Sequence, residues 1–147
     1  MGLVTTQPAL KAALRTALAA RGGLAGIEVD YGEPQEGRRE AVYVSTALDS
    51  DSMTPLVMRK NKREEDYTLK VHVWSAKLET PAKTEARAEV LAEEIEAAVL
   101  AAGTPPFGVS AVSWVRVAGT ELATEVTAEG PSTRLTVLLA VKGRIVT

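Results

Sequence analysis

Glu65-Asp66-Tyr67-Thr68-Leu69-Lys70-Val71-His72-Val73-Trp74-Ser75 is the stretch whose reading decides the fold. Tyr67, Leu69, Val71 and Val73 alternate with Thr68, Lys70, His72 and Trp74. In extended backbone a period of two sends these sets to opposite faces, one apolar and one polar. The stretch therefore predicts a strand with one face on a core.

Downstream, Thr80-Pro81 opens a helix, with Thr80 as its N-cap. Ala88, Leu91, Ala92, Ile95, Ala98, Val99 and Ala102 form its apolar stripe, while Glu85, Glu89, Glu93 and Glu96 lie mostly off it. Gly103 and Pro105-Pro106 end it. Two strands are predicted around 112–117 and 133–142, the second apolar on both faces and so largely buried. Residues 119–131 extend them as a long hairpin arm if the alternation of Leu122, Thr124 and Val126 is followed.

Upstream, Gln7-Pro8 opens a first helix with Leu10, Ala13, Leu14, Ala17 and Leu18 on one face, stopped by Gly22-Gly23. Residues 27–31 and 41–46 read as short strands, and the turn residues between them (Gly32, Pro34, Gly37) suggest a hairpin. Residues 47–63 show no sustained period and read as a long exposed loop, with a short strand-like piece at 56–58. The order is helix, three strands, helix, two strands. It predicts an α+β fold: a single domain over residues 1–147, an antiparallel or mixed sheet of about five strands, and both helices packed on one face. Leu14, Leu18, Leu69, Val71, Leu91, Ile95, Val137 and Leu139 are the expected core.

Composition narrows the chemistry. The 147 residues fit one domain. Aromatics are only 4%, so Val, Leu, Ile and Ala must fill the core. The net charge of −2 gives no global basic field for nucleic acid. The lack of cysteine excludes disulfides, thiolate zinc sites and a cysteine nucleophile. The apolar runs are too short to span a bilayer, and Lys11 and Arg15 interrupt the apolar pattern a signal peptide would need, so a soluble, non-exported chain is expected.

No motif calls for catalysis or for a cofactor. His72 is the single histidine and lies mid-strand, where a sheet-face role beside Lys70 and Trp74 outweighs that of a general base. Asp49-Ser50-Asp51-Ser52 begins like a calcium loop, but Thr54 stands where the turn glycine belongs and Lys60 where the bidentate glutamate belongs. Gly22, Gly23 and Gly26 follow a helix, whereas a phosphate loop follows a strand. Glu93-Glu94 belongs to an acidic, solvated helix face. No catalytic, cofactor or metal residue is assigned. The strongest charge feature is Arg59, Lys60, Lys62 and Arg63, followed at once by Glu64, Glu65 and Asp66. It reads either as a solvated loop or as a docking segment for an acidic partner, with nucleic acid a weaker reading because no aromatics interleave.

The succession of the N-terminal helix, Val29-Asp30-Tyr31-Gly32, Arg39-Glu40-Ala41-Val42-Tyr43-Val44, the charged loop, Arg63 through Trp74, an acidic helix and a closing strand pair resembles the tail-terminator (tail-completion) proteins of long-tailed double-stranded DNA phages. The resemblance covers most of the chain in element order, but no motif matches at 119–130. It implies a structural protein and no enzyme: a homo-oligomer, a hexameric ring, that caps the finished tail tube, stops its polymerisation and presents a surface for head joining. Its partners would be the major tail-tube protein and a head-completion or connector protein. DNA would pass only as cargo and no membrane would be involved. The place would be the virion tail, assembled in host cytoplasm. Arg59, Lys60, Lys62 and Arg63 are then the expected protein interface. A head-completion or neck adaptor protein is the alternative. A small α/β enzyme or ligand-binding module, with a pocket around His72, Lys70 and Trp74, ranks below both.

Overall fold

The computed structural model describes residues 5–32, 40–45, 51–55, 62–76 and 78–146. Helix α1 (Gln7–Ala19) is followed by β1 (Glu28–Tyr31), β2 (Glu40–Val44), β3 (Asp51–Pro55) and β4 (Lys62–Ala76). Then come α2 (Pro81–Leu100), β5 (Val112–Thr127) and β6 (Gly130–Val146). Both helices start where their prolines place them, and Thr80 Oγ1 accepts the Lys83 N–H at the head of α2. Gly103, at φ +80°, turns the chain after α2 in a region that a side chain disfavours.

The strands form one mixed, six-stranded sheet in the order β1-β2-β4-β6-β5, with β3 also paired to β4. The expected α+β fold, one domain with a mixed sheet and two helices, is what the structure shows. Strands β4 and β6 pair along their whole length, from Lys62 opposite Val146 to Ala76 opposite Ser132, a ribbon about 50 Å long. Strand β2 pairs with the far half of β4 (Val71–Ser75) and β3 with the near half (Arg63–Tyr67), so the two occupy one edge of β4 in succession. The long arm expected over 119–131 forms, closed by a two-residue turn between Thr127 and Gly130.

Two readings are corrected. Strands β1 and β2 pair in parallel, not as a hairpin. Gly and Pro mark where the chain bends, but they do not fix the direction in which it returns. Within the expected loop 47–63, Asp51–Pro55 is strand β3, and Lys62 and Arg63 already belong to β4. The strand-like piece expected at 56–58 lies outside the described residues. Asp51, Ser52 and Pro55 disfavour strand by composition, and a proline is accommodated because β3 pairs on one side only among the described residues.

The alternation read in β4 decides the core. Tyr67, Leu69, Val71 and Val73 lie under the helices with Val42, Val44, Leu135, Val137, Leu139 and Val141. Leu10, Leu14 and Leu18 of α1 and Ala88, Leu91 and Ile95 of α2 cover them. All eight expected core residues are buried. Helix α1 lies over β1 and β2, and α2 over β6, β4 and β5. Thr68, Lys70, His72 and Trp74 share the opposite face, which carries no helix among the described residues, and are half-buried there.

Glu65 departs from the pattern. It sits on the apolar face yet is fully buried. Its carboxylate receives the Thr6 backbone N–H at 2.8 Å, the Thr6 hydroxyl at 2.6 Å and the Thr5 hydroxyl. Thr6 precedes α1 and makes no side-chain cap within its own helix, so a strand supplies the negative group that a helix N-terminus favours. Opposite Glu65 stands Gly143, where a Cβ would come within 3.0 Å of Thr6 Cγ2. The glycine leaves the space into which Thr6 fits.

Candidate assembly surfaces

The four expected interface residues divide. Arg59 and Lys60 lie outside the described residues. Lys62 and Arg63 open β4, with Lys62 opposite Val146, and Arg63 between Pro55 of β3 and Ile145 of β6. The end of the sheet thus carries the second half of the basic cluster in strand register.

The helix-free face holds the residues singled out around His72. Asp30, Tyr43, His72, Thr136 and Glu121 form one row across five strands. His72 Nδ1 lies 2.7 Å from Thr136 Oγ1, and its ring rests against Tyr43 at a centroid distance of 4.9 Å. These contacts fix the imidazole as part of the sheet face. Arg116 lies over Trp114 at 4.3 Å on the same face, a cation–π contact. Among the described residues no group of three His, Asp or Glu side chains could hold a metal ion. Among them, too, no helix is long and apolar enough to cross a membrane.

On the helix side, a groove of about 580 Å³ runs between α2 and the outer strand β5. Helix periodicity puts Glu85, Glu89, Glu93 and Glu96 along its rim, while Leu122 and Leu135 lie at its floor with Ala92. Leu122 remains 53% exposed there, and Val126 further along the arm is 66% exposed. Three threonines tie the walls together. Thr84 Oγ1 lies 2.9 Å from Thr133 Oγ1, Thr133 lies 3.0 Å from Thr124, and the Thr124 hydroxyl donates to Glu85 Oε1 at 2.6 Å. The acidic face of α2 was legible as such in the sequence, but the groove was not. It needs the β5 extension, which places Thr120 and Leu122 beside that face. Carboxylates at i, i+4 spacing repel each other by about 0.2–0.5 kcal/mol per pair on an isolated helix.

Among the described residues strand β1 is one edge of the sheet, and β2 is enclosed between β1 and β4. Strand β5, broken by irregularities at Val112/Trp114 and Val117/Gly119, forms the other edge.

These elements define a class by architecture: an α+β domain with a long two-stranded arm and a helix-free sheet face. No family model and no curated protein sequence matches the chain. Among solved structures, the chain is similar to one from the virion of a native gene transfer agent (GTA) particle. The two superimpose with a TM-score of 0.66 over 97% of this chain and 99% of that chain, at 16% sequence identity. The likeness shows the fold.

Proposed function

We propose that the protein is a structural component of a phage-like particle and, within it, a tail terminator. In this reading a hexameric ring of the chain sits on the completed tail tube, stops addition of further tube protein and offers its outer surface to a head-completion or connector protein. DNA passes through the ring as cargo. The ring belongs to the virion tail, is assembled in the host cytoplasm and has no catalytic task.

The observation that carries the reading is the whole-length likeness to a chain of a gene transfer agent virion. A shared fragment would say little, but here the overlap spans both chains almost entirely. The tail-terminator resemblance in the sequence selects among virion roles. A ring needs two different surfaces on each subunit, one meeting the other on the neighbour. In this reading the acidic α2–β5 groove serves as one of them, and the basic sequence cluster Arg59, Lys60, Lys62 and Arg63 supplies the opposite charge for the other.

The test is particle assembly from a genome lacking this chain, viewed by negative-stain electron microscopy. Overlong, headless tubes that return to normal length when the chain is supplied are the expected result. Tails of normal length beside DNA-filled, unjoined heads would overturn the terminator in favour of a neck adaptor. Intact particles would overturn both.

A further inference from the structure

Glu85, Glu89, Glu93 and Glu96 form one stripe on α2, and three described cations on or beside that helix pair with other carboxylates. Lys83 pairs with Glu79 at 2.6 Å, Arg87 with Glu40 at 2.8 Å, and Arg21 takes Glu94 at 2.7 Å. Among the described residues no cation forms an ion pair with any of the four glutamates of the stripe. Ala92, Leu122 and Leu135 give the floor beneath them an apolar patch beside Thr120, and Leu122 presents more than half of its surface to solvent on an outer strand. An occupant of this groove must therefore combine apolar side chains with several positive charges.

We infer that the groove receives the connection between β3 and β4 of a second copy of this chain. That connection reads Leu56-Val57-Met58-Arg59-Lys60-Asn61, and Lys62-Arg63 follow it directly. It offers three consecutive apolar side chains for the floor and two cations, Arg59 and Lys60, for the carboxylates of the rim. Charge complementarity of this kind fixes register and excludes wrong partners more than it adds affinity.

Chain length assigns the segment to another copy. Pro55 and Arg63 are opposite each other, in the row that continues to Ile145 on β6. The groove lies beside Leu135, opposite Leu122. Ten residues of β6 separate Ile145 from Leu135, roughly 33 Å of strand. Residues 56–61 must leave from Pro55 and return to Lys62, so they extend only about 12 Å beyond that end. The segment therefore cannot fill the groove of its own chain. A contact between two different surfaces is head-to-tail and closes into a ring when the rotation permits. The inference deepens the ring reading and rests on it for the arrangement of the copies.

Charge reversal in the full-length chain tests it, read by sedimentation velocity at low salt and by tail length in particles that lack the wild-type chain. Glu89→Lys with Glu93→Lys reverses the groove, and Arg59→Glu with Lys60→Glu reverses the segment. Each pair alone should weaken self-association at least about tenfold and give overlong tubes. All four changes in one chain should restore both readouts, because the signs match again. Far-UV circular dichroism of each variant verifies folding, and Glu89→Gln with Glu93→Gln provides a milder groove variant. Tails of normal length from either reversed pair would overturn the proposal. So would a fourfold variant as defective as the pairs, which would indicate that the groove meets a different partner. Neither result would touch the terminator reading, which stands or falls on tail length in the complete absence of the chain.

Discussion

Replacing Glu65 by Ala removes the acceptor that anchors the start of α1 to the sheet. The buried carboxylate takes three donors: the Thr6 N–H at 2.8 Å, the Thr6 hydroxyl at 2.6 Å and the Thr5 hydroxyl. Hydrogen bonds to a charged acceptor contribute about 1.5–3 kcal/mol each, although neighbouring ones are not additive. The hydroxyls can turn to other partners, and Tyr67 Oη already lies 3.0 Å from Thr6 Oγ1. The Thr6 N–H cannot turn. Left without an acceptor, it costs about 1–3 kcal/mol by itself, and the vacated side-chain volume adds to this. The expected loss is about 3–5 kcal/mol, a large share of the roughly 5–15 kcal/mol that holds a domain together. Because Leu10, Leu14 and Leu18 of α1 belong to the shared core, the loss should lower the midpoint of one global transition without fraying a single helix. Urea unfolding followed by both tryptophan fluorescence and circular dichroism reads this out. Glu65→Gln, which keeps the shape but turns an amide N–H₂ toward a donor, should fall between wild type and Ala. A loss below about 1 kcal/mol for Glu65→Ala would refute the anchoring role.

Three further outcomes follow from the packing. Leu91→Ala or Ile95→Ala, both fully buried on α2, should each cost about 2–5 kcal/mol, and an unchanged thermal melt would remove them from the core. Gly143→Ala should destabilise by about 1–3 kcal/mol because its Cβ meets Thr6 Cγ2 at 3.0 Å. Adding Thr6→Ser, which deletes that methyl, should recover part of the loss in the same melt. Lys11 on α1 is 5% exposed, and burial holds its ammonium below the ordinary value of 10.5. Between the lowered folded value and 10.5 the unfolded chain binds more protons than the folded one, so stability attributable to Lys11 rises with pH through that window. Denaturation midpoints of Lys11→Met should lack this rise relative to wild type, and parallel pH profiles would show that the amine keeps its normal hydration.

The fold was legible wherever one period dominated. The Tyr67–Trp74 alternation placed the central strand and its buried face, and the Leu10–Leu18 and Leu91–Ile95 spacings placed the covering helices. The Leu122–Thr124–Val126 alternation gave the arm. Where two physical rules compete, composition alone failed. Asp51, Ser52 and Pro55 read as loop, yet pairing to the long β4 ribbon holds them as strand β3. The turn residues between β1 and β2 announced a bend that tertiary contacts make into a parallel pairing. Glu65 could have been recognised, since it falls in register with Tyr67 and Leu69 on the apolar face, but the run Glu64-Glu65-Asp66 reads as solvated charge. The acidic side of α2 was visible in the sequence. Its apolar floor was not, because Leu122 reaches it only through sheet pairing across Leu135.

The proposed closure of the tail tube by this chain is tested most directly by a reconstruction by cryo-electron microscopy of the head-proximal end of purified tails. The expected result is a hexameric ring of this chain stacked directly on the last ring of tube protein, with the chain found nowhere else along the tail. A tail end formed by another protein, with this chain located on the head side of the neck, would contradict it.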